Sequence, residues 1–250
     1  MTAAHDRMDL DELEGRELID GDELELINAL SARPRADAAW NPVRHRMTVS
    51  GDVARWRRDL EVRVRRDGMA LVEWQGPAPL PHQLIEQLCW AFGRPRTIPP
   101  GPSLVSAVVA GAAAGAVVLV RGNAVWRNLR RRMSPGALEA AAAPDALVIQ
   151  LGGWRVYAPL LPRLSGNQRG VHLPTACARV FAAPGVAPVF RAVAEVVTDP
   201  DVQLCIAVEP GQLLVVDALS WRVGRSAASL RRIDFASPSL VGLGLGFKVA

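Results

Sequence analysis

Lysine, tyrosine, cysteine and histidine are all scarce in this chain of 250 residues. It contains one lysine, one tyrosine, three cysteines and four histidines. Cys89, Cys177 and Cys205 are far apart and embedded in apolar runs. This pattern argues against a disulfide framework or a zinc site and favours small buried thiols in a reducing compartment.

The N-terminus lacks the basic region and the apolar region of a secretory signal, so a cytoplasmic location is expected. The uncharged run Leu104–Val120 has the length of a short membrane span, and Gly111 and Gly115 have the small-xxx-small spacing of packed membrane helices. The run is at the lower limit of length for a span and is rich in alanine. Two core strands are therefore favoured, and no membrane association is expected.

Acidic residues are concentrated at one end of the chain. Met1–Leu30 contains ten acidic residues and two arginines, whereas the rest of the chain has an excess of cations. All but one of the cations are arginines, and they are scattered instead of forming a basic stripe with interleaved aromatic residues. Nucleic-acid binding is therefore not expected. Charge compensation between this leader and the basic body, within a chain or across a dimer, is an alternative use of the pattern.

Half of the residues are apolar, which is typical of a folded protein. The patterning predicts an acidic helical leader and linker at residues 1–49 and a single domain at 50–250. Asp9–Leu18 and Asp22–Leu30 have the spacing of short amphipathic helices, suited to packing or to docking of a partner. Arg33–Pro42 is interpreted as a linker.

Within the domain, helices alternate with short apolar strands. Helices are predicted at Val53–Arg66, His82–Phe92, Asn123–Met133, Gly136–Ala143 and Ala187–Val197. Strands are predicted at Met69–Trp74, Leu104–Ala110, Ala112–Val120, Leu147–Leu151, Trp154–Tyr157, Cys177–Phe181, Val202–Val208, Leu213–Val216, Trp221–Val223, Leu230–Phe235 and Leu240–Val249.

Two blocks of sequence, in this order, carry a family resemblance. The first joins Asp67–Trp74, through a helix, to Ala91–Pro95, and the second is the run VEPGQLLVVDALSWRVGRSAASLRR at Val208–Arg232. Together they resemble the iron(II)/2-oxoglutarate dioxygenases of the taurine dioxygenase and clavaminate synthase type over roughly Val53–Phe235. The resemblance implies a mostly β, α+β fold with packing helices, namely a shortened double-stranded β-helix or jelly roll.

The family's iron ligands have no counterpart at the matching positions. Six residues after Asp217, where the resemblance places a histidine, the chain has Val223. Arg94–Ala116, the segment that would carry the His-x-Asp pair, contains no histidine, aspartate or glutamate. Because a facial iron site needs two histidines and one carboxylate, we expect no metal and no cofactor. The alternative is an unusual site for Fe(II) and 2-oxoglutarate that uses His172 or Asp217.

Arginines carry the remaining site predictions. In the family, an arginine on the last core strand grips the far carboxylate of 2-oxoglutarate, and the resemblance assigns that role to Arg232, or to Arg231 if the register slips. Only one of the two can point inward along a strand. An inward Arg232 indicates either a retained carboxylate site or an internal salt bridge, and a salt bridge or solvent exposure is favoured. Arg225, Trp221 and His172 are candidate substrate-binding residues.

These observations lead to one hypothesis of function with two alternatives. The leading hypothesis is a diverged protein of the dioxygenase fold that binds a small molecule or a partner, or catalyses a metal-independent reaction, in bacterial specialised metabolism. Its ligand would be a small carboxylate or an amino-acid-like molecule. One alternative is an active oxygenase (a hydroxylase) with an atypical metal site. The other is a structural subunit that forms a homo- or hetero-oligomer with a catalytic homologue through the N-terminal leader.

Overall fold

The computed structural model describes residues 13–28, 42–77, 80–95, 105–151, 154–164, 167–174, 179–226, 229–236 and 245–249. The strands are β1 (Glu17–Leu18), β2 (Arg46–Val49), β3 (Met69–Trp74), β4 (Arg94–Pro95), β5 (Val105–Ala110), β6 (Gly115–Arg121), β7 (Leu147–Leu151), β8 (Trp154–Ala158), β9 (Gln168–Arg169), β10 (Arg179–Ala182), β11 (Gln203–Val208), β12 (Gln212–Asp217), β13 (Trp221–Ser226), β14 (Leu230–Ala236) and β15 (Phe247–Lys248). The α-helices are α1 (Gly21–Asn28), α2 (Pro42–His45), α3 (Val53–Asp67), α4 (His82–Cys89), α5 (Gly122–Arg132), α6 (Pro135–Ala141) and α7 (Ala187–Val197).

Two sheets pack face to face. The larger has the strand order β2-β3-β12-β5-β14-β4, and the smaller has the order β11-β6-β13. One cluster of buried apolar side chains, the inter-sheet core, joins them; it includes Leu71, Val108 and Val216 from the larger sheet and Leu119 and Val223 from the smaller. The architecture is therefore mixed α+β and rich in strands, as the sequence predicted.

Helices cover the outer face of the larger sheet. In α3, Leu60 and Val64 are fully buried and pack against alternate residues of the strands, such as Val72 and Val215. Asp52 caps the N-terminus of α3 by accepting a hydrogen bond from the Ala54 amide, as expected for an aspartate at this position. Most predicted helices and strands of the domain agree with the structure to within a few residues, because their apolar periodicity reflects one-sided burial.

The strand interpretation of the alanine-rich run 104–120 is confirmed. Its described part forms β5 and β6, which belong to different sheets, and every residue of β5 is buried. Within the described part of the chain, no helix is long and apolar enough to cross a membrane.

A third packing unit lies beside the two sheets. Strands in the order β1-β10-β7-β8 form a small sheet, and α5, α6 and α7 contribute to the same buried cluster. The second half of the predicted helix Asp9–Leu18 is wrong, because Glu17–Leu18 forms a strand with β10 instead. The first residues of that predicted helix, up to 12, lie outside the described residues.

The described part of the leader packs against the body of the same chain. Ile19 and Leu24 are almost fully buried in the cluster around α7. Glu17 and Glu23 both form ion pairs with Arg191 of α7. The acidic residues of this segment therefore compensate basic charge within the chain, and docking of a partner through the leader stays a prediction.

Residues 42–49 correct one part of the sequence interpretation. They were assigned to the leader and linker, yet they form α2 and β2, and β2 pairs in parallel with β3. Val49 is fully buried there. The segment is too short for its periodicity to be recognised, and only the pairing with β3 defines it. The other missed elements, β4 and β9, are two-residue strands.

Candidate functional site: a basic pocket at one end of the two sheets

A cavity of about 540 Å³ opens where β3, β11 and β13 begin and β6 ends. The last turn of α3, α2 and the β15 segment complete its walls. The described residues that line it include five cationic side chains, Arg44, Arg65, Arg66, Arg121 and Lys248, and a single acid, Asp67. The pocket is therefore strongly positive.

Asp67 holds two of these cations together. Its carboxylate accepts hydrogen bonds from Arg44 Nη2 at 3.0 Å and from Arg66 Nη2 at 2.7 Å. Its side chain is only 1 % exposed, whereas those of Arg44 and Arg66 are more than half exposed. Burial alone would raise the pKa of Asp67, but the two guanidinium groups outweigh it and lower this pKa below its usual value. Asp67 is therefore ionised and saturated.

The other ionisable groups near Asp67 interact with neighbours in the same part of the chain. Arg65 forms an ion pair with Glu61, one turn earlier in α3, at 2.5 Å. Arg65 and Arg66 also lie in the last turn of α3, where cations interact favourably with the helix dipole. Burial lowers the pKa of His45, although the negative charge of Asp67 opposes this shift. The lowered pKa favours the neutral imidazole at neutral pH.

Arg121, also in the lining, stacks on Trp221. Its guanidinium lies 5.6 Å from the centroid of the indole ring, and Arg121 and Trp221 are paired residues of β6 and β13. Burial and the nearby cation Arg127 lower the pKa of Arg121. A partly buried guanidinium close to another cation is stabilised by an anion placed against it.

The glycine that ends α3 allows the Trp221 ring to sit where it does. Gly68 has a φ of 77°, the left-handed conformation of a helix C-cap, and its amide donates to the Val64 carbonyl. A Cβ atom on Gly68 would lie 2.6 Å from Trp221 Nε1. The absence of a side chain at this residue therefore fixes both the end of the helix and the edge of the pocket.

Asp217 holds two segments of the pocket lining together by hydrogen bonds. Its carboxylate accepts from the amides of Leu219 at 2.9 Å and Gly246 at 2.6 Å, and from both the amide and the hydroxyl of Ser220. Burial raises the pKa of Asp217, and these four donors oppose that rise. Asp217 thus ties the β15 segment to the turn before β13, as expected of an aspartate that satisfies turn amides.

The predicted carboxylate-binding arginine lies elsewhere, on the inner face of the larger sheet. Arg232 Nε donates to Asp234 Oδ1 at 2.8 Å, and the Ser106 hydroxyl donates to the same oxygen at 2.6 Å. Arg232 Nη1 also lies 3.4 Å from the Val223 carbonyl oxygen. Arg232 is therefore engaged by an internal carboxylate, which is the salt-bridge alternative. Arg231, its neighbour on the opposite face, is exposed.

The other predicted site residues divide between the pocket and the rest of the molecule. Trp221 lines the pocket. His172 is buried outside it, with its Nδ1 atom 3.2 Å from the Pro159 carbonyl oxygen. The backbone of Arg225 belongs to β13, and its side chain lies outside the described part of the structure. Of the four predicted residues whose side chains the structure describes, only Trp221 lies with the basic cluster.

No family model and no curated protein matches this sequence. Solved structures do match it. AAD-2 in complex with Mn(II) and N-oxalylglycine is 13 % identical, with a TM-score of 0.50, and the match covers 84 % of this chain and 99 % of that one. A Burkholderia xenovorans protein assigned as an alpha-ketoglutarate dependent 2,4-D dioxygenase is 10 % identical, with a TM-score of 0.51 and coverage of 82 % and 96 %. The fold is that of the iron/2-oxoglutarate oxygenases. The resemblance stated from the sequence is confirmed at the level of the fold.

The dioxygenase fold corrects one prediction. The expectation that no cofactor is involved is wrong for this fold, because AAD-2 was solved with Mn(II) and N-oxalylglycine bound. The fold therefore accommodates a metal ion together with a 2-oxoglutarate analogue.

The described residues of this chain do not fit the three-ligand iron site of the dioxygenase fold. Val223, at the position where the resemblance implies a histidine, is 1 % exposed and packs in the inter-sheet core. The Asp217 carboxylate is occupied by its four donors. No group of three or more His, Cys, Asp or Glu side chains placed to hold a metal occurs among the described residues.

Sequence reasoning missed most of the basic pocket. Arg65 and Arg66 were part of a predicted helix and were given no role in binding, while Arg121 and Lys248 are about 130 residues apart. The only local signal was Arg121, a cation at the end of a strand and directly before a helix. The cluster exists because strand ends from distant parts of the chain meet at one end of the two sheets.

Proposed function

We propose that this chain is a ligand-binding protein built on the dioxygenase fold, and that it binds a small anionic molecule in the basic pocket. The observation that carries the proposal is the convergence of five cations on a cavity whose described lining contains one acid, itself already saturated. Arg232, the candidate carboxylate-binding residue that the resemblance implied, is less suited to bind a ligand because it already forms an ion pair with Asp234.

Several properties of the pocket support this proposal. Its volume of about 540 Å³ lies within the range of small-molecule sites. Arginine offers planar, bidentate hydrogen bonding to carboxylates and phosphates, and Asn123 and Gln168 add neutral donors to the lining. Several cations close together repel one another, and a bound anion reduces that repulsion.

The same proposal includes the finer topology of the fold. We infer that the two facing sheets form a shortened double-stranded β-helix, with the pocket at one mouth of it. The order β11-β6-β13 opposite a six-stranded sheet supports this inference. A role in bacterial specialised metabolism remains part of the proposal without a residue that supports it.

Calorimetric titration of the full chain with succinate and with inorganic phosphate, at low ionic strength, tests the proposal. We expect saturable binding of at least one of them at a single site, weakened by added salt because charges exposed at the pocket mouth are screened. Lys248→Gln should weaken binding, whereas Arg179→Gln, the same charge change on exposed residue 179 of β10, should not. Equal binding by the two variants would refute the assignment of the pocket.

A further inference from the structure

Gly246, Phe247 and Lys248 all line the basic pocket, and the Gly246 amide donates a hydrogen bond to Asp217, which lies outside the lining. We propose that Asp217 is a positioning residue of the pocket, one whose carboxylate holds β15 in place and thereby keeps Lys248 in the lining. This role rests on the proposed function, because it concerns the same anion site.

The strand that carries Lys248 is not part of either main sheet. Among the described strands, β15 pairs with β9 alone, through two residue pairs, and the two strands form a sheet of their own. The Val249 amide donates to the Asn167 carbonyl oxygen, which joins β15 to the same β9 segment. The Phe247 ring packs in the apolar cluster around α7. The pairing of β15 with β9 therefore does not fix Lys248 relative to the larger sheet.

Asp217 provides a direct connection to the larger sheet. It is the last residue of β12, an inner strand that lies between β3 and β5. Asp217 is 1 % exposed, and its amide donates to the Gly68 carbonyl oxygen at 2.8 Å. Its Oδ2 atom accepts from the Gly246 amide at 2.6 Å. The residue directly before β15 is thus attached to a buried and fixed point of the fold.

The substitution Asp217→Asn should break this attachment selectively. Oδ1 accepts from the amides of Leu219 and Ser220, whereas Oδ2 accepts from the Gly246 amide and the Ser220 hydroxyl. The asparagine oxygen should take the Oδ1 position, where it meets two amide donors. Its NH₂ group would then face the Gly246 N–H, and two donors cannot bond, while the Ser220 hydroxyl can rotate to accept. Gly246 alone therefore loses its partner.

The direction of the effect on binding separates positioning from charge. Removal of the negative charge of Asp217 close to a cationic lining would by itself strengthen anion binding. Displacement of Lys248 from the lining would weaken it. Weaker binding by Asp217→Asn therefore indicates that the carboxylate acts through the position of β15.

Calorimetric titration of the full chain with succinate and with inorganic phosphate tests this role. Lys248→Gln should weaken binding about twofold to fivefold, as expected for one exposed charge pair. Asp217→Asn should weaken it by a similar factor, and the double variant should bind no more weakly than either single variant. The dependence of affinity on salt should fall equally in all three, because each removes the same cation from the pocket.

The single lysine of the chain supplies a second readout. Reductive methylation with carbon-13 formaldehyde keeps the charge of Lys248 and gives one lysine signal in the NMR spectrum. In the wild type this signal should shift when succinate or phosphate is added. In Asp217→Asn the shift should be smaller at the same degree of saturation.

Two further variants make the test specific. Asp234→Asn, the matched control, changes a carboxylate that also accepts hydrogen bonds but lies outside the lining, and it should leave anion affinity unchanged. Circular dichroism establishes whether each variant is folded. Gly246→Ala disturbs the same attachment without changing any charge, because its Cβ would lie 2.5 Å from the Arg169 carbonyl oxygen, and it should weaken binding as Asp217→Asn does.

The outcomes separate the positioning role from the proposed function. Weaker binding by Lys248→Gln, with Asp217→Asn equal to or tighter than the wild type, would overturn the role of Asp217 and leave the anion pocket in place. Losses that multiply in the double variant would do the same, because Asp217 would then act independently of Lys248. No saturable binding of either ligand to the wild type, or no effect of Lys248→Gln, would overturn both.

Discussion

Substituting Gly68 by alanine is predicted to damage the protein in two ways at once. The first is backbone strain, because Gly68 has a φ of 77° and a side chain in that conformation costs about 1–2 kcal/mol. The second is steric. The new Cβ would lie 2.6 Å from Nε1 and 2.9 Å from Cδ1 of Trp221, closer than real contacts of a Cβ. Forcing a ring to move in a packed region costs about 1–3 kcal/mol.

Gly185 supplies the matched control. Its φ of 78° is almost the same, but no heavy atom lies within 4 Å of the Cβ that alanine would add. Gly185→Ala should therefore lose only the strain of about 1–2 kcal/mol. Gly68→Ala should lose about 2–5 kcal/mol, the strain and the steric cost together.

Urea denaturation followed by far-ultraviolet circular dichroism measures both variants without relying on tryptophan emission. The m-value should stay constant, so that the shift in midpoint reports stability. Gly68→Ala should also weaken anion binding, because the Trp221 ring that it displaces stacks on Arg121 of the pocket. Equal losses of stability in the two variants would refute the reasoning, because the Trp221 ring would then have room to accept a methyl group.

Three further predictions concern charge and packing elsewhere. Asp67→Asn should tighten anion binding and destabilise the fold by about 1–3 kcal/mol at neutral pH. Because folding lowers the pKa of Asp67, the stability advantage of the wild type in urea melts should be present above the usual aspartate pKa and should disappear as the pH falls through the lowered pKa. A stability difference that does not change with pH would contradict this prediction. Asp234→Ala should lower the free energy of unfolding by about 1–3 kcal/mol, because it removes the carboxylate partner of Arg232. A double-mutant cycle with Arg232→Ala should show coupling between the two residues, whereas additive losses of stability would exclude their interaction. Ile19→Ala should lower the free energy of unfolding by about 2–5 kcal/mol, because Ile19 is only 2 % exposed. Leu18→Ala should change it by no more than about 0.5 kcal/mol, because Leu18 is 56 % exposed. Equal effects of the two substitutions in thermal melts would show that the leader does not pack on the body.

Much of the local structure could be read from the sequence. The periodicity of Val53, Leu60 and Val64 places α3, and a glycine ends it at residue 68. The antiparallel strands β7 and β8, on either side of residues 152–153, were also predicted as strands. Such features depend on neighbours within one turn of helix or one hairpin, so they are recorded in adjacent residues.

The candidate site could be predicted only in part, for reasons visible in individual residues. The resemblance correctly located Arg232 on a core strand, and alternation along β14 allowed one inward arginine. The partner of Arg232 could not be named from the sequence. Asp234 lies on the same face of the same strand, but the Ser106 hydroxyl that donates to it comes from 128 residues away. The pairing of β14 with β5 decides that contact.

The sequence by itself determined the α+β class, most of the helices and strands, and the resemblance to the dioxygenase fold, because these follow from apolar periodicity and turn residues close together in the chain. Only the tertiary structure decided that Arg46–Val49 joins the larger sheet and that acidic residues of the leader form ion pairs with Arg191. It alone brought Arg44, Arg121 and Lys248 to one cavity. The physical reason is that strand ends from remote segments meet where two sheets pack together, and no local pattern encodes which ends will meet.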